Sequence, residues 1–150
     1  MLRKPLFRSL RWSGCGKLAL VQPLTYMNRS GLVVPRLLRS CRCSSAELVI
    51  VTDNLDLPNG AVRLKRGGSN RSHRGIASLI DALGTEDFLR LYVGIGRPPQ
   101  GVSVVDHVLS RPEGEELQVF HDGIARAADA VLRLLEREPE EVMNDLNRRR

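Results

Sequence analysis

The stretch LVIVTDNLDLPNGAVRLKRGG, residues 48–68, contains the pattern from which we predict the fold. Residues 47–51 (ELVIV) are a short apolar run, which is typical of a buried strand in a parallel sheet. Residues 57–60 (LPNG) form a turn signal, and residues 61–65 then alternate between apolar and basic side chains. The stretch therefore predicts two strands joined by a turn.

The residues before this stretch extend the prediction to a larger unit. Residues 17–22 (KLALVQ) are a second apolar run, and Ser30 is a candidate cap for the helix that follows it. The positions with helical spacing are Val33, Val34, Leu37 and Leu38, and Pro35 lies in the first turns. Strand, helix and strand in this order predict a βαβ unit of an α/β protein.

The residues after this stretch predict three further helices and another strand. A helix over residues 76–83 ends at Gly84, and residues 88–95 (FLRLYVGI) form a strand. A long amphipathic helix starts at Glu113, and a last short helix starts at Glu140. A chain of 150 residues suits one domain. We predict a single α/β domain over residues 1–150, with a mixed, mostly parallel sheet flanked by helices.

The charge distribution favours an anionic partner. The net charge is +6, no Asp or Glu precedes Glu47, and nine Lys and Arg residues lie before it. Nucleic acid is the leading candidate partner, because Lys and Arg neutralise phosphates and release counterions. An ordinary basic surface and an organelle transit peptide at the start are the alternatives. No apolar run approaches the roughly 18 residues of a membrane span.

Cysteine usage argues against a metal site. The three cysteines, Cys15, Cys41 and Cys43, form no Cys-x-x-Cys pair and cannot all pair with one another. We therefore expect a reducing compartment and no metal.

Two acidic residues follow the strand at residues 47–51. Asp53 and Asp56 lie at its carboxyl end, where ligand sites of α/β proteins gather. A carboxylate there can accept the ring N–H of a histidine and favour the imidazolium that forms when the ring takes a proton. The alternative is that both aspartates cap the turn into Pro58.

A glycine-rich basic loop, residues 67–75, opens the helix over residues 76–83. Backbone N–H groups at a helix start can bind an anion, although the loop lacks the spacing of the Walker or dinucleotide motifs. A flexible glycine turn is the alternative. His73 is the one histidine in this loop, and it can act as a base or as a hydrogen-bonding group. The basic residues around it are Arg63, Lys65, Arg66, Arg71 and Arg74.

Residues 25–31 (TYMNRSG) follow the first predicted strand. Asn28 lies at this strand-to-helix junction, where its amide can both donate to and accept from a water or a substrate amide. The alternative is that Asn28 caps the helix.

These motifs together resemble the bacterial-type peptidyl-tRNA hydrolase family. The resemblance covers the chain from about Lys4 onward and includes several motifs in the family's order. They are QPLTYMNRSG (22–31), VTDNLDLPNGAVRLKRGG (51–68), SHRGIASL (72–79), RLYVGIGRP (90–98), VVDHVLSRP (104–112) and VMNDLN (142–147).

The resemblance implies an esterase that frees tRNA from peptides, in which a histidine activates a water without metal or cofactor. It implies that Asp53 orients that histidine and that Asn28 positions the water and the substrate. Its other implied substrate-binding residues are Tyr26, His73 and Arg74, and its implied tRNA-binding residues are Arg63, Lys65, Arg66 and Arg71. It also implies a cytoplasmic monomer whose partner is peptidyl-tRNA.

Three departures from the family pattern bear on activity. The family's catalytic histidine belongs to an amino-terminal segment, Gly-Asn-Pro-Gly followed by Thr-Arg-His-Asn, that does not occur in this sequence. Arg74 replaces an asparagine, and the family's basic pair reads Arg90 and Tyr92, which removes one phosphate contact. We expect an amino-terminally truncated form of a working hydrolase. The alternative is a non-catalytic relative that binds RNA.

Overall fold

The computed structural model describes residues 10–15, 18–68 and 73–148, with side chains from residue 18 onward. The strands are β1 (Leu10–Cys15), β2 (Leu18–Pro23), β3 (Val49–Asn54), β4 (Val62–Arg66) and β5 (Leu89–Gly94). The α-helices are α1 (Val34–Cys41), α2 (Arg74–Leu83), α3 (Val104–Leu109), α4 (Gly114–Arg133) and α5 (Pro139–Arg148). Two 3-10 helices, Met27–Leu32 and Ser45–Glu47, flank α1.

The chain divides into two compact units. Unit 1 combines the described parts of Met1–Leu48 and Arg66–Phe88, and unit 2 combines Val49–Lys65 with the described part of Leu89–Arg150. None of the helices in the described ranges has the length and apolar character needed to cross a membrane.

Unit 1 contains an antiparallel strand pair and two packed helices. β1 and β2 pair from Leu10 opposite Pro23 to Cys15 opposite Leu18. The buried apolar side chains of this unit come mainly from α1, α2 and the residues next to them. They are Val33, Val34, Leu37, Ile76, Leu79, Ile80 and Phe88. Gly84 ends α2 in the left-handed conformation, at φ 68°, as the sequence predicts.

The prediction of a βαβ unit is wrong, because its first strand, β2, does not share a sheet with β3. β2 pairs with β1 in a two-stranded antiparallel sheet, whereas β3 belongs to a three-stranded sheet with β5 and β4. The apolar run of residues 17–22 looked like a fully buried strand, but Leu20 is 57% exposed. A run of apolar residues in a hairpin and one in a parallel sheet look alike in sequence, because pairing partners are not encoded locally.

Ser30 does not cap α1. The N-cap residue is Val33, and Pro35 lies at the start of the helix. The hydroxyl of Ser30 instead donates to the Met27 carbonyl inside the 3-10 helix Met27–Leu32, at 2.9 Å. Gly31 of that helix lies tightly against α2, and its N–H donates to Ser78 Oγ at 3.0 Å.

Unit 2 is built on the sheet β3-β5-β4. β3 and β5 are parallel, from Val49 opposite Leu89 to Asn54 opposite Gly94. β4 runs antiparallel to β5, since Gly94 N–H donates to the Ala61 carbonyl and Gly67 N–H donates to the Phe88 carbonyl. The sheet is mixed, as predicted: β3 and β5 are parallel, and β4 and β5 are antiparallel.

The core of unit 2 lies between this sheet and the two carboxyl-terminal helices. All six residues of β5 are buried, which is expected for a central strand. The core side chains are Leu64, Leu89, Leu91 and Val93 from the sheet, Ala127 and Ala130 from α4, and Val142 and Leu146 from α5. The predictions of β3, β4, β5, α2, α4 and α5 are confirmed to within a few residues.

The helix α3 was missed, although the sequence carries a signal for it. Ser103 caps α3 by accepting a hydrogen bond from Asp106 N–H at 3.1 Å. Its hydroxyl also bonds to the Asp106 carboxylate at 2.7 Å. A serine followed three residues later by an acid is a helix-start pattern.

Candidate functional site

Asp53 lies one residue before the carboxyl end of β3, opposite Val93 of β5. Its side chain is half-buried, and the Thr52 hydroxyl donates to its Oδ1 at 3.5 Å. The turn that follows is held by Asn54. Asn54 Oδ1 accepts the N–H groups of Asp56 at 2.8 Å and Leu57 at 3.1 Å. Asn54 therefore caps this turn, and the interpretation that Asp56 caps it is wrong, because its carboxylate is bonded to Arg97 instead.

Asp56 belongs to a surface ion pair. Its carboxylate lies 2.7 Å from the Arg97 guanidinium, and the two side chains are 73% and 79% exposed. Such an exposed pair contributes little to stability. Of the two acids at this strand end, Asp53 is the half-buried one.

The turn after Asp53 is anchored on α4, which fixes the end of β3. The Asn59 side-chain amide donates to the Glu116 carbonyl at 2.9 Å. The Arg126 guanidinium donates to the Gly60 carbonyl at 2.7 Å. Gly60 has φ +74°, and a Cβ on it would collide with the Val119 carbonyl oxygen. These contacts hold the backbone beyond Asp53 in one position.

The strand β4 presents two cations on one face. Arg63 and Lys65 are exposed, while Leu64 between them is fully buried, as strand alternation requires. Arg66 is on the other face, and its guanidinium lies 3.2 Å from the Asp87 carboxylate. Arg63 and Lys65 have no ion pair with the described residues and can meet an anion, whereas Arg66 is paired with Asp87.

In unit 1, the 3-10 helix Met27–Leu32 and the start of α2 form a close junction. A Cβ on Gly75 would lie 2.6 Å from the Met27 sulfur, so a side chain at this position would require the Met27 side chain to shift. A Cβ on Gly31 would collide with the backbone oxygen of Ser78 in α2. Two glycines thus lock the two segments together.

This junction brings together the four residues that the sequence assigned to substrate binding. Tyr26 is 79% exposed, and Asn28 is exposed on the 3-10 helix. His73 and Arg74 begin α2, with Arg74 exposed. The alternative that Asn28 caps a helix is wrong, because neither the 3-10 helix nor α1 has a side-chain cap bond.

His73 is the N-cap residue of α2. Its Nδ1 accepts the Ile76 N–H at 3.3 Å, which places the ring proton of the neutral form on Nε2. To act as a base through Nε2, the ring would need its proton on Nδ1 and would lose the cap. The geometry therefore favours a donor role for His73 over a general-base role.

Arg90 and Tyr92 are not on the surface. Arg90 is 0% exposed and Tyr92 is 5% exposed, because β5 is the central strand and both its faces are covered. The two positions that the resemblance matches to the family's basic pair are therefore both buried. Arg71 lies outside the described residues.

The described side chains include no group of three or more His, Cys, Asp or Glu that could hold a metal ion. Cys41 and Cys43 are free thiols at the end of α1. Burial, and to a lesser extent the neighbouring Cys43, raise the pKa of the Cys41 thiol.

Comparisons with known proteins agree on one family. A family model described as peptidyl-tRNA hydrolase matches residues 4–150. The chain is 46% identical over 134 residues to a peptidyl-tRNA hydrolase of Shouchella clausii, covering 89% of this chain and 72% of that protein. It is 45% identical over 122 residues to one of Dehalococcoides mccartyi, covering 79% of this chain. The chain spans 65% of the length of that relative.

Solved structures show the same fold. The crystal structure of peptidyl-tRNA hydrolase from Acinetobacter baumannii matches with a TM-score of 0.85 at 28% identity, over 99% of this chain and 77% of that one. A crystal structure of a peptidyl-tRNA hydrolase complex with N-propanol matches with the same TM-score at 27% identity. The predicted α/β class with a mixed sheet flanked by helices is confirmed.

Proposed function

Since this chain belongs to the peptidyl-tRNA hydrolase family, we propose that the protein hydrolyses the ester that joins a peptide to the terminal ribose of tRNA. The observation that carries the proposal is the family match over residues 4–150, which includes Asp53 at the carboxyl end of β3. We further propose that the protein acts as a monomer in the cytoplasm.

The proposed reaction is the attack of a water on the ester carbonyl. An imidazole takes a proton from the water as the new C–O bond forms, and the bond between the carbonyl carbon and the ribose oxygen then breaks. The proton passes to the departing ribose oxygen. Asp53 accepts the other ring N–H of the imidazole, which orients it and stabilises the imidazolium. The products are a peptide acid and a tRNA with a free hydroxyl group.

We propose that the imidazole comes from a Thr-Arg-His-Asn segment, which residues 1–150 do not contain. His73 is the one loop histidine within these residues, and its Nδ1 is used as the cap of α2. To act as the base, His73 would have to change its tautomer, which would leave the Ile76 N–H without its acceptor.

The substrate is proposed to meet two sets of side chains. Asn28 is proposed to position the water and the peptide amide. Its exposed side chain, which is not used in a helix cap, supports this role. Tyr26, His73 and Arg74 are the other proposed substrate contacts, from the same junction in unit 1. Arg63 and Lys65 are proposed to bind tRNA phosphates through the exposed face of β4.

The test is the cleavage of an N-blocked aminoacyl-tRNA, with tRNA binding measured in the same samples. Two proteins are compared: the 150-residue chain, and the same chain preceded by a segment that carries Gly-Asn-Pro-Gly and Thr-Arg-His-Asn. We expect both to bind tRNA and the extended form to cleave. Turnover by the 150-residue chain that His73→Ala removes would overturn the proposed source of the base.

Two aspartate variants of the extended form test the role of Asp53. Asp53→Asn should reduce kcat by several orders of magnitude, by analogy with the loss seen when an orienting aspartate is removed from a Ser-His-Asp triad. Its tRNA affinity should change little. Asp56→Asn is the matched control, since it makes the same carboxylate-to-amide change in a surface pair. Binding without turnover in every form would indicate that the protein is a non-catalytic RNA-binding relative and not an enzyme.

A further inference from the structure

We propose that unit 1 carries an additional phosphate-binding surface, formed by Arg29, Arg39 and Arg42, that contacts a duplex segment of the tRNA. We call it the α1 arginine surface. It extends RNA binding to residues other than Arg63 and Lys65, and it rests on the proposed function, since tRNA is taken as the ligand.

The first support is exposure without a compensating acid. Arg29 lies in the 3-10 helix before α1, Arg39 in the last turn of α1, and Arg42 at its C-cap. All three are exposed, and the described residues provide none of them with an ion pair. Glu47 is the first acid of the chain, and its carboxylate accepts hydrogen bonds from Ser44 rather than from an arginine.

The second support is the contrast with arginines elsewhere in the chain. Arg97 pairs with Asp56 at 2.7 Å. Arg133 and Arg137 both contact the Asp145 carboxylate, at 2.6 and 2.8 Å. These three arginines are thus built into ion pairs, whereas none of the arginines of the α1 arginine surface is paired with an acid of the described residues. A potential of this sign attracts polyanions over a distance of about one Debye length.

The third support is size. α1 has eight residues, which corresponds to a length of about 12 Å at 1.5 Å per residue. A duplex strand presents one phosphate per roughly 3.4 Å of axis, so α1 faces on the order of three phosphates of one strand. Arg39 and Arg42, in the last turn and at the C-cap of α1, can each meet one of these phosphates, and the planar guanidinium suits phosphate oxygens.

A different result is expected if Arg39 and Arg42 only stabilise the helix. Cations in the last turn of a helix interact favourably with its dipole, and Arg39 and Arg42 are so placed. If that were their only role, their removal would lower the melting temperature and leave RNA binding unchanged. Binding and melting therefore have to be measured on the same variants.

The experiment uses Arg39→Gln combined with Arg42→Gln, with Arg39→Lys combined with Arg42→Lys as the charge-conserving pair. Arg111→Gln combined with Arg148→Gln is the matched control, because both arginines are exposed and the charge change is the same. The probes are deacylated tRNA, a duplex RNA hairpin and a single-stranded oligonucleotide, titrated at several salt concentrations.

We expect the glutamine pair to reduce the slope of log K against log salt by about 1.8 on tRNA and on the hairpin, at about 0.9 per lost phosphate contact. The dissociation constant at low salt should rise by about an order of magnitude, and the lysine and control pairs should bind like the parent. An unchanged slope in the glutamine pair, or a loss confined to the single strand, would overturn the inference. Failure of the parent chain to bind tRNA would overturn the proposed function instead.

Discussion

Gly123 of α4 lies directly against Gly60 of the turn between β3 and β4. A Cβ on Gly123 would lie 2.5 Å from the Gly60 carbonyl oxygen and 2.8 Å from its Cα. Helix and turn approach this closely only because both positions lack a side chain. The Arg126 guanidinium donates to the same Gly60 carbonyl, so the contact is both steric and polar.

Gly123→Ala should therefore destabilise the protein by about 1–3 kcal/mol, the usual cost of overpacking. Helix propensity alone predicts the opposite sign, a gain of up to about 1 kcal/mol. Urea unfolding gives the difference in the free energy of unfolding. His121→Ala, at an exposed position of the same helix, should stay within about 0.5 kcal/mol. A stabilised Gly123→Ala protein would show that α4 does not pack on the turn this closely.

Asn147 of α5 acts as a hydrogen-bonding partner for β4. Its Oδ1 accepts the Leu64 N–H at 3.1 Å, and its Nδ2 donates to the Leu64 carbonyl at 2.9 Å. Asn147→Ala removes two bonds to a buried residue and should cost about 1–3 kcal/mol of stability. Asn147→Asp should also destabilise at neutral pH, because a carboxylate would face the Leu64 carbonyl.

The matched control for Asn147 is Asn144→Ala, at an exposed position of the same helix. Thermal and urea unfolding of the three variants ranks them by their free energy of unfolding. Equal stability of Asn144→Ala and Asn147→Ala would remove the proposed role of Asn147 at the edge of β4.

Asp145 links α5 to α4 through two arginines. Its hydrogen bond with Arg137, followed by the charges of Arg137 and Arg133, holds the pKa of the Asp145 carboxyl below its ordinary value. Because the folded pKa is depressed, the stabilisation is complete above the unfolded pKa of about 3.9 and is lost as pH falls through the lower folded value. The stability difference between the parent and Asp145→Asn should thus shrink below about pH 4.

Urea unfolding of both proteins between pH 3 and pH 7 measures this difference. Asp122→Asn serves as the control for the same chemical change on the exposed surface of α4. The difference should also decrease at high salt, because the groups are solvent-accessible and screened. A difference that grows on acidification would contradict the assigned direction.

Lys65 is predicted to contact a tRNA phosphate. Lys65→Gln should make the slope of log K against log salt shallower by about 0.9 for a duplex contact, and it should weaken binding to different tRNAs alike. Arg97→Gln is a useful comparison, since Arg97 is exposed but paired with Asp56. A slope that Lys65→Gln leaves unchanged would remove Lys65 from the RNA-binding face.

Most elements could be predicted from sequence where the local signal is complete. The apolar spacing of residues 76–83 with Gly84 after it predicts α2 and its carboxyl end correctly, because periodicity and the C-cap agree. The pairing of β2 with β1 could not be predicted, since it depends on the partner strand as well as on the residues of β2. The start of α1 was misplaced because Gly31 is held against Ser78, a contact between residues 47 positions apart.

The candidate site shows the same limit. Alternation correctly puts Arg63 and Lys65 on one exposed face of β4. Asp53 and Asn54 are both good turn-capping residues, so sequence could not decide which of them holds the turn. The complete burial of Arg90 was not foreseen either, because a charged residue in a strand is ordinarily exposed.

The bond between Asn147 and Leu64 joins residues 83 positions apart and affects how the chain folds during synthesis. At about 5–20 residues per second, a ribosome needs about 4–17 s to make the intervening segment. During that time β4 lacks both Asn147 and the α5 side chains Val142 and Leu146 that complete its core. The nascent chain thus displays a strand edge rich in basic residues for several seconds, and Arg63, Lys65 and Arg66 on that strand would discourage a neighbouring nascent copy from pairing with it.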